Sequence, residues 1–389
     1  MSAKFSMTLR GIAAASGARL VGADATIIGV TTDSRRVQAG DLFVAIKGDK
    51  FDAHDFVADV AARGAAAVMA SREMPGITAA QLIVPDTRSG FGAVGKLWRS
   101  QFSAPTIALT GSNGKTTVKE MLRAILVEHT GDAGAVHATE GNLNNDIGVP
   151  QMMLKQRAYH RFAIYEMGMN HLKEIDHLTR LVEPNVALVI NAGTAHIGEL
   201  GSREAIAQAK GEIFGGLKPD GTAVINMHDR FGAYWKGVAA KFRQLTFGVA
   251  AEDNVQGTFT GGGLTIEHQG EEARIDLQVS GEHNQRNALA ATAGALALGV
   301  PLATIASALS NFTGVPGRLR ECTGHNSATI IDDTYNANPD SAKAAIDVLA
   351  AKKPPRILVM GDMGELGPDA PAMHREVGDY ARRAGIDAL

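Results

Sequence analysis

Residues 106–120 read Thr-Ile-Ala-Leu-Thr-Gly-Ser-Asn-Gly-Lys-Thr-Thr-Val-Lys-Glu. The pattern predicts a short buried strand over 106–109, a glycine-rich turn, and a helix that begins near Lys115. Backbone N–H groups in such a turn cradle phosphate oxygens, the lysine reaches the outer phosphates, and Thr116 is placed to bind Mg²⁺. Leu109 occupies the position of the first glycine in the usual P-loop spacing, so this is a shortened variant. The motif predicts nucleotide binding, with an ordinary strand–turn–helix corner as the alternative.

Length and composition limit the possible classes of protein. The chain has 389 residues, 45% of them hydrophobic, which predicts two or three globular domains. The net charge of −3 gives no indication of a nucleic-acid partner, and the single cysteine, Cys322, excludes an internal disulfide framework and fits a reducing compartment. Because the chain has no run of about 18 apolar residues, we expect no membrane insertion. The alanine-rich segment 11–18 is interpreted as the first helix of a cytoplasmic protein rather than as a signal peptide.

The first predicted domain covers residues 1–104 and is a small α/β domain. Its strands are predicted at 26–30, 42–45, 67–69 and 82–84, and its helices at 55–63 and 90–101. Ser103-Ala104-Pro105 is interpreted as a hinge into the P-loop strand, because proline biases the residue before it towards extended geometry.

Two polar clusters stand between the elements of this domain. The first comprises Thr32, Asp33, Ser34 and Arg35, and the second runs through Lys47, Gly48, Asp52 and His54. The pair Asp33-Ser34 is typical of a turn, and Asp52 before His54 is typical of a helix N-cap. The alternative is a second anion site, because hydroxyl groups, an arginine and a lysine are what a diphosphate requires.

The central predicted domain covers residues 105–315 and alternates strands with helices, which favours a doubly wound parallel sheet. Ligands bind such sheets at the carboxyl ends of the strands. Glu166 follows a predicted strand over 162–165, and a carboxylate there would hold Mg²⁺ directly or through water. His196 ends the loop after a predicted strand over 186–190. A single loop histidine is usually just solvated, but three strand ends together would deliver a P-loop, a carboxylate and a histidine to one edge.

Lys210 is unusual for its position in the pattern. Residues 203–217 have helical periodicity, and the lysine lies in the same stripe as Ile206 and Ile213. Lysine is rarely buried unless it is paired or altered. The two interpretations are a lysine whose ammonium reaches the rim of the fold and a lysine that is aimed into the active-site cleft.

Asparagines are concentrated in a loop of this domain. Residues 141–150 include Asn142, Asn144 and Asn145, which are typical of turns and caps. Three closely spaced carboxamides would also donate and accept hydrogen bonds towards a polar substrate. Further along, residues 244–272 alternate apolar side chains with several glycines, which predicts a small antiparallel hairpin.

The run 281–287, Gly-Glu-His-Asn-Gln-Arg-Asn, opens an alanine-rich helix. Asn284 is typical of an N-cap, whereas Asn287, one turn later, would bond an adenine edge. Residues 314–318, Gly-Val-Pro-Gly-Arg, are interpreted as a second hinge between domains.

The last predicted domain covers residues 316–389. Strands are predicted at 328–331 and 356–360, each followed by a helix, and the second of these helices spans 372–384. The polar run 332–341 follows the first strand. Since a parallel sheet of two strands is too small to be stable alone, we expect this domain to be incomplete.

Together these motifs resemble the Mur ligase superfamily, which comprises ATP-dependent amide-bond ligases of peptidoglycan synthesis and their folate-polyglutamating relatives. The resemblance covers essentially the whole chain and rests on residues 110–117, Glu166, 191–196, Lys210, 284–287 and Arg318. Residues 141–150 and 332–339 look like the branch that adds D-alanyl-D-alanine. The implied fold is α/β with the three-domain Mur ligase architecture. A central doubly wound P-loop ATPase domain would stand between a small N-terminal α/β domain and an incomplete C-terminal Rossmann-like domain.

The resemblance implies a reaction. ATP would phosphorylate the terminal carboxylate of UDP-N-acetylmuramoyl-tripeptide, and the amine of D-alanyl-D-alanine would attack the acyl phosphate and expel phosphate. A carboxylate is a poor electrophile until it carries this leaving group, and Lys115 with Mg²⁺ would hold the reacting anions together. The resemblance also implies a cytoplasmic enzyme that works as a monomer with ATP and two Mg²⁺ sites, without a nucleic-acid partner.

The resemblance further implies roles for individual residues. The catalytic residues would be Lys115, His196 and Lys210, and the metal ligands would be Thr116, Glu166, His196 and Lys210, the lysine as a carbamate. The nucleotide would be bound by Thr110, Gly111, Ser112, Asn113, Gly114, Lys115, Thr116, Thr117, Asn284, Asn287, Arg318 and Asp333, with Asp332 as an alternative to Asp333. The UDP-linked peptide and the dipeptide would contact Thr32, Asp33, Ser34, Arg35, Lys47, Gly48, Asp52, His54, Asn142, Asn144, Asn145, Asn336 and Asn338.

Three alternatives stand beside this interpretation. A sister ligase that adds a different amino acid would show an Asp-Tyr-Ala-His type of run where residues 334–337 read Thr-Tyr-Asn-Ala. A P-loop ATPase switch or transporter motor is a different class, but the sequence has no second ATPase signature and no arginine-finger-like region. A binding-only fragment would hold both ligands without turnover, because the last domain of this family normally runs well beyond the place of Leu389.

Overall fold

The computed structural model of the protein describes residues 5–48 and 51–389. Its strands are β1 (Met7–Thr8), β2 (Arg19–Val21), β3 (Thr26–Ile27), β4 (Gly29–Thr31), β5 (Asp41–Val44), β6 (Ala67–Ala70), β7 (Ala80–Ile83), β8 (Thr106–Thr110), β9 (Val136–Ala138), β10 (Phe162–Glu166), β11 (Val186–Val189), β12 (Thr222–Asn226), β13 (Arg243–Gly248), β14 (Val255–Thr260), β15 (Gly263–His268), β16 (Glu271–Asp276), β17 (Arg320–Thr323) and β18 (Thr329–Asp332). Its α-helices are α1 (Leu9–Ser16), α2 (Val57–Ala62), α3 (Thr87–Arg99), α4 (Lys115–Thr130), α5 (Gly148–Lys155), α6 (Glu174–Val182), α7 (Ile197–Leu200), α8 (Arg203–Gly211), α9 (Gly232–Val238), α10 (Glu282–Ala297), α11 (Leu302–Ser310), α12 (Pro339–Ala350) and α13 (Ala370–Arg383). Within the described ranges, no helix is both long enough and apolar enough to cross a membrane.

The structure divides into two compact units, and the first comprises the described residues up to 104 together with residues 139–161. Its five-stranded sheet has the order β2-β7-β6-β5-β4, with every pair parallel except β2 and β7. Both faces are covered, because Leu42 and Val44 join a core with α1 and α3, whereas Phe43 joins a second cluster that includes Val57. Strand β5 therefore reads as a continuous apolar run, as strands buried on both faces do.

The segment 139–161 belongs to this first unit, although the sequence analysis included it in the central domain 105–315. Helix α5 packs on α3, and the Trp98 indole N–H donates to the Gln156 carbonyl oxygen at 2.9 Å. A Cβ on Gly95 would lie 3.2 Å from the Pro150 Cα, so this glycine permits the close approach of the two helices. Sequence periodicity identifies an apolar face on a helix, but it does not identify the core that buries this face.

The second unit comprises residues 105–138 and 162–389 and contains a nine-stranded sheet. The strand order is β16-β15-β14-β13-β12-β11-β8-β10-β9, and all pairs from β9 to β14 are parallel. Helix α10 packs closely on this sheet, because a Cβ on its Gly294 would come within 2.9 Å of the Ile107 side chain. The parallel order and the covering helices confirm the predicted doubly wound α/β core.

The antiparallel hairpin predicted over 244–272 is present with different limits. It is formed by β14 and β15, and β16 adds a third antiparallel strand. Residues 244–248 instead lie in β13, which pairs parallel with β12. Alternating apolar residues indicate a strand, but they carry no information about the direction of the neighbouring strand.

Residues 317–389 lie in the second unit and form β17, β18, α12 and α13. Strand β18 corresponds to the strand predicted over 328–331, but it pairs antiparallel with β17, so the expected parallel pairing with residues 356–360 is wrong. The strand predicted over 356–360 is also wrong, because in the described part of the chain Ile357 forms only an isolated bridge with Ala388. An apolar run is typical of a strand, but a strand exists only where a neighbour continues its hydrogen bonds. A small apolar core that includes Ile346 and Val377 holds α12 and α13 together.

Candidate active site

Three neighbouring strands bring polar groups to one edge of the nine-stranded sheet. Strand β8 lies between β10 and β11 and is parallel to both, with Leu109 opposite Glu166 and Thr110 opposite Val189. The carboxyl ends of the three strands therefore coincide. This arrangement places the P-loop, Glu166 and the loop that begins at Asn191 side by side, and we call it the nucleotide edge.

The P-loop encloses its own lysine. Lys115 Nζ donates to the Gly111 carbonyl oxygen at 2.7 Å and to the Ser112 carbonyl oxygen at 3.3 Å. Loss of hydration lowers the pKa of Lys115, and the Glu166 carboxylate partly opposes this shift. The Ser112 hydroxyl is buried and has no hydrogen-bond partner in the described part of the chain. An anion bound in the loop would supply that partner, so the loop fits a phosphate.

Gly114 is required at the end of the P-loop for two reasons. It has a φ of 81°, which favours glycine, and it immediately precedes α4. A Cβ at this position would lie 2.3 Å from Asn287 Oδ1 on α10. Asn284, one turn earlier, donates from its side chain to the Ser280 carbonyl oxygen at 2.8 Å. Asn287 therefore lies against the P-loop, and both asparagines stay predicted adenine ligands.

Two threonines that flank the P-loop are buried in the fold. The Thr110 hydroxyl donates to the Met167 carbonyl oxygen at 2.9 Å. Thr117 lies in the first turn of α4. The role of both threonines in nucleotide binding stays a prediction.

Asn191 fixes the shape of the P-loop from the neighbouring strand. Its Oδ1 accepts hydrogen bonds from the backbone N–H groups of Ser112 and Asn113, each at 3.0 Å. Its side-chain amide donates to the Asn113 carbonyl oxygen at 3.1 Å. In the sequence, Asn191 stands out only as the start of a loop, and no role was predicted for it. The feature that could have indicated a role for Asn191 is its position directly after a strand that lies next to the P-loop strand in the sheet.

A hydroxyl, a carboxylate and a guanidinium meet beside the P-loop. The Thr116 hydroxyl donates to Glu166 Oε2 at 3.2 Å, and Glu166 is 2% exposed. Arg318 Nη2 donates to the Thr116 hydroxyl oxygen at 3.4 Å. The Arg318 guanidinium also stacks over the Tyr335 ring at 3.7 Å, a cation–π contact that holds it in place. The structure thus brings Arg318, the last residue of the second predicted hinge, to the nucleotide edge.

Lys210 is buried, with 1% of the residue exposed. It lies in the last turn of α8, which ends at Gly211. Burial and then the positive charge of Lys115 lower its pKa well below the usual value for lysine, and no carboxylate in the described chain offsets the shift. The alternative of an ammonium at the rim is therefore wrong. Lowering this pKa raises the fraction of Lys210 that is present as the uncharged, nucleophilic amine.

His196 lies in the same electrostatic environment. It has a φ of 64°, and burial followed by the charges of Lys115 and Lys210 lowers its pKa to about 4. Its Nδ1 is 2.9 Å from Glu365 Oε2, but the direction does not fit a hydrogen bond, and this nitrogen has no hydrogen-bond partner in the described part of the chain. The imidazole is consequently neutral at pH 7, which is the form that binds metal ions.

The described residues contain no group of three or more His, Cys, Asp or Glu side chains that could hold a metal ion. Mg²⁺ usually takes one or two protein oxygens and completes its shell with water and substrate phosphates. The Thr116 hydroxyl and the Glu166 carboxylate, 3.2 Å apart beside the P-loop, fit this pattern. These two residues would hold the ion next to a bound phosphate chain.

Two adjacent aspartates at the end of β18 are used differently. Asp332 accepts hydrogen bonds from the Gly317 and Thr334 backbone N–H groups and, at 2.7 Å, from the Thr334 hydroxyl. Asp333 accepts from the Leu319 N–H at 3.2 Å, and burial raises its pKa. Asp332 therefore serves the local turn, and Asp333 is the better candidate for a ligand of the nucleotide.

The first polar cluster of the first unit is paired internally. Arg35 donates to both carboxylate oxygens of Asp33 at 2.9 Å, and these bonds lower the pKa of Asp33 to about 2. The Thr32 hydroxyl accepts from the Gln151 side chain at 3.3 Å, and the Ser34 carbonyl oxygen accepts from an arginine. The predicted role of this cluster in substrate binding is untouched by these contacts, but Arg35 would have to leave Asp33 to bind an anion.

In the second polar cluster, His54 links Asp52 to the Ser71 backbone in a chain of hydrogen bonds, which we call the closed chain because each ring nitrogen of His54 has a partner. Asp52 Oδ1 accepts from the His54 ring Nδ1 at 2.5 Å, and His54 Nε2 accepts from the Ser71 N–H at 2.9 Å. His54 is 2% exposed. Lys47 forms a backbone bridge with Asp52, and the Gly48 N–H donates to a carbonyl oxygen in the same loop at 2.9 Å. The described part of this loop is thus held by His54 from the inside.

The predicted asparagine ligands also have local partners. Asn145 Oδ1 accepts from the Gly148 N–H at 2.8 Å at the start of α5, and the Asn144 N–H donates to the Asn142 carbonyl oxygen at 2.8 Å. Asn336 Oδ1 accepts from the next backbone N–H at 2.9 Å. These bonds are typical of turns and caps, so substrate contacts by these four residues stay predictions.

Asn338 has a partner that the sequence did not indicate. Its Oδ1 accepts from the Ser341 N–H at 3.0 Å and caps α12, while its Nδ2 donates to Asn113 Oδ1 in the P-loop at 2.7 Å. Asp340, which was assigned no role, accepts hydrogen bonds from Thr194. The sequence places both residues at the start of a helix, but this position alone does not identify a hydrogen-bond partner that is distant in the sequence.

Comparison with protein-family descriptions covers most of the chain. Residues 109–295 match the Mur ligase middle domain. Residues 317–389 match the Mur ligase glutamate ligase domain, and residues 26–88 match the Mur ligase family catalytic domain. The matched segments include the P-loop, the strand ends of the nucleotide edge and the residues after the second hinge.

Curated relatives and solved structures agree with these matches. A UDP-N-acetylmuramoyl-tripeptide–D-alanyl-D-alanine ligase of Haemophilus influenzae is 42% identical over 92% of this chain and 79% of its own length. The crystal structure of MurF from Acinetobacter baumannii superposes with a TM-score of 0.91 at 38% identity, covering 98% of this chain and 85% of that one. MurF ligase from Thermotoga maritima, solved in complex with ADP, superposes with a TM-score of 0.79 at 28% identity, covering 90% and 81% of the two chains. With three family matches and relatives of this similarity along almost its full length, the chain belongs to the Mur ligase family.

Proposed function

We propose that this chain is an ATP-dependent, ADP-forming ligase that joins D-alanyl-D-alanine to UDP-N-acetylmuramoyl-tripeptide. The observation that carries the proposal is the nucleotide edge, where Lys115, Thr116, Glu166 and Arg318 meet around a P-loop. The activity named for the Haemophilus influenzae relative supports the choice of substrates, and the ADP complex of the Thermotoga maritima relative supports ATP as the phosphoryl donor.

In the first step, an oxygen of the peptide carboxylate attacks the γ-phosphorus of ATP. The bond from the γ-phosphorus to the bridging oxygen of ADP breaks, and an acyl phosphate and ADP result. Three oxygens of the transferred group carry negative charge in this step. Lys115 and Arg318 are the cations of the nucleotide edge that would balance this charge, and the P-loop N–H groups would fix the phosphates.

In the second step, the dipeptide amine attacks the acyl carbon. A C–N bond forms, the bond to the phosphate oxygen breaks, and the amine nitrogen releases one proton, so phosphate departs and an amide remains. The chain contributes mainly by orientation, because two separate substrates must be held within reach of each other. The predicted ligands of the UDP-linked peptide lie in the first unit, and Asn336 and Asn338 lie in the second.

Mg²⁺ is expected beside the P-loop, held by Thr116 and Glu166, where it would neutralise phosphate charge. We propose that His196 and Lys210 serve a second ion. The uncharged Lys210 amine would add to CO₂, forming an N–C bond and releasing a proton, and the resulting carbamate would be an anionic ligand. The depressed pKa of buried Lys210 supports this role, because only the neutral amine has a lone pair for the addition. We also propose that the enzyme acts in the cytoplasm as a monomer.

The test is a coupled assay of ADP release. We expect ADP only when ATP, the UDP-linked tripeptide and D-alanyl-D-alanine are all present, and mass spectrometry should show the UDP-linked pentapeptide as product. Parallel reactions with tripeptides that carry diaminopimelate or lysine at the third position identify the natural substrate. Rapid ADP release without either peptide would instead favour the ATPase-switch class. Calorimetric binding of both ligands without product would favour a binding-only protein.

A further inference from the structure

The first turn of α12 contacts two loops of the nucleotide edge at once. Asn338, the N-cap of α12, donates to Asn113 Oδ1 in the P-loop at 2.7 Å. Asp340 Oδ2 accepts from the Thr194 backbone N–H at 2.8 Å and from the Thr194 hydroxyl at 2.9 Å. One helix start therefore holds the P-loop through an amide and the loop after β11 through a carboxylate.

Gly193 marks the point where these three elements converge. A Cβ on Gly193 would lie 2.7 Å from Asp340 Oδ2 and 3.4 Å from Asn113 Nδ2. The carboxylate therefore lies directly against the backbone of the loop after β11. A side chain at position 193 would displace the Asp340 carboxylate from this position.

A second contact joins the same loop to the C-terminal residues. A Cβ on Gly198 would lie 2.7 Å from the Gly367 nitrogen and 2.8 Å from the Glu365 carbonyl oxygen. These neighbours are backbone atoms, so α7 and the segment around Gly367 pack without intervening side chains. The loop that carries His196 is therefore held on both sides, by Asp340 before it and by Gly367 after it.

The hydrogen bonds to Asp340 bear directly on the chemistry of the edge. Thr194 lies between Asn191, which shapes the P-loop, and His196, a proposed metal ligand. Bonds to a charged carboxylate are stronger and shorter than bonds between neutral groups. Holding Thr194 by two such bonds restricts the whole loop between Asn191 and His196.

We propose that Asp340 is a positioning residue that fixes the loop 191–196 against the P-loop through Thr194. In this role Asp340 acts by ordering the loop 191–196 through its bonds to Thr194. The alternative is an ordinary acidic residue in the first turn of a helix, which stabilises α12 through the helix dipole. The proposal rests on the proposed ligase function for its kinetic consequence, whereas the contact itself can be tested without any substrate.

The first experiment measures amide hydrogen exchange at Thr194 in the ligand-free protein. Asp340→Ala removes both acceptor bonds, and we expect exchange at Thr194 to become at least about tenfold faster. Asp340→Asn keeps a carbonyl oxygen at the same place but removes the charge, and we expect exchange within about threefold of the native chain. Asp347→Ala is the matched control, because this α12 carboxylate accepts instead from the Tyr380 hydroxyl at 2.7 Å. Unchanged exchange in Asp340→Ala would overturn the proposal.

The second experiment measures ligase turnover of the same variants. We expect Asp340→Ala to lower kcat about tenfold with KM for ATP within about twofold, whereas Asp340→Asn retains most of the rate. Thr194→Val removes only the hydroxyl bond and should lower kcat about threefold. The double variant should lose about tenfold, because the two changes break one interaction and cannot multiply.

Independent, multiplying losses of about thirtyfold, or an unchanged kcat in Asp340→Ala, would overturn the positioning role. An equal loss in Asp340→Asn and Asp340→Ala would point to the helix dipole and would also overturn it. If Asp340→Ala does not fold, hydrogen exchange and turnover are compared instead between Thr194→Val, Asp340→Asn and the native chain. Absence of turnover in the native chain would refute the proposed function, while hydrogen exchange would still decide the contact.

Discussion

The nucleotide edge of the second unit and the polar clusters of the first unit are both built from charged side chains after strands. At the nucleotide edge, Lys210 is buried without an offsetting carboxylate in the described chain, and the Ser112 hydroxyl has no partner there. In the first unit, Asp52, His54 and the Ser71 N–H satisfy one another in a closed chain. A ligand at the nucleotide edge would therefore meet polar groups that lack a partner in the described chain, whereas a ligand at the second polar cluster would meet groups that are already hydrogen-bonded to one another.

This difference distinguishes groups that take part in the reaction from groups that stabilise the fold. A buried polar group without a partner costs on the order of 1–3 kcal/mol, so a fold retains it where a ligand or a reaction compensates for it. A closed chain of hydrogen bonds carries no such cost and instead fixes the backbone around it. We infer that the nucleotide edge contains groups that react, and that His54 orders a loop that binds.

The largest effect is expected from Lys210. Lys210→Ala should lower ligase turnover by at least about 10³-fold, because it removes the amine that would form the anionic metal ligand. The melting temperature should stay equal or rise, since the variant no longer buries an amine. The measurements are ADP release and thermal unfolding.

A matched control and a spectroscopic readout accompany this variant. Lys236→Ala changes an exposed lysine of the same unit and should leave turnover unchanged. With ¹³C-labelled bicarbonate, the native chain should show a carbamate carbon by NMR that Lys210→Ala lacks. Full activity in Lys210→Ala would contradict the assignment of this residue to chemistry.

The next largest effect is expected from Asn191. Asn191→Ala removes three hydrogen bonds that shape the P-loop and should weaken ADP binding about 100-fold, at about 1 kcal/mol for each bond. Calorimetry measures the affinity. Asn185→Ala is the control, because Asn185 Oδ1 accepts from the Thr106 N–H at 3.0 Å at the opposite end of β8. Equal losses in both variants would show that the strand, and not the loop, determines the affinity.

Much of the nucleotide edge was predictable from the sequence because parallel strands end together. Glu166 and His196 were placed at this edge by their positions after predicted strands, and the apolar helical stripe singled out Lys210, whereas the roles of all three residues were implied by the resemblance to the Mur ligases. The strand ends and the helical stripe were recognised from the short-range periodicity of apolar residues, which can be read from the sequence alone. The predicted adjacency of the strand ends follows from the rule that a parallel sheet presents its ligands at one edge.

Other features depend on contacts between distant residues and could not be predicted. Asn191 looks like any turn asparagine until the strand order places it beside the P-loop. Asp340 looks like an ordinary helix-start acid until Thr194, 146 positions away, is seen to donate to it. Residues 139–161 have an unremarkable helical pattern, which does not state that their core belongs to the first unit.

A smaller effect on turnover is expected in the closed chain of the first unit. His54→Ala leaves the Asp52 carboxylate and the Ser71 N–H without their shared partner and should lower the free energy of unfolding by about 2–3 kcal/mol. KM for the UDP-linked peptide should rise a few fold while ADP affinity stays unchanged. His325→Ala, at an exposed site, is the control. A lower kcat with an unchanged KM would instead indicate that His54 takes part in the reaction.

The smallest effect, and the one of opposite sign, is expected at Asp33. This partly exposed carboxylate neutralises Arg35 through two bonds at 2.9 Å, so Arg35 must break that pair before it can bind an anion. Asp33→Asn preserves the shape and the acceptor for the Arg35 N–H but removes the charge. We expect KM for the UDP-linked peptide to fall about twofold at low salt, and the gain to vanish at high salt because exposed charges are screened. A rise in KM at both salt concentrations would show that Asp33 itself contacts the substrate, and the first unit would then also contain a carboxylate that is reserved for a ligand.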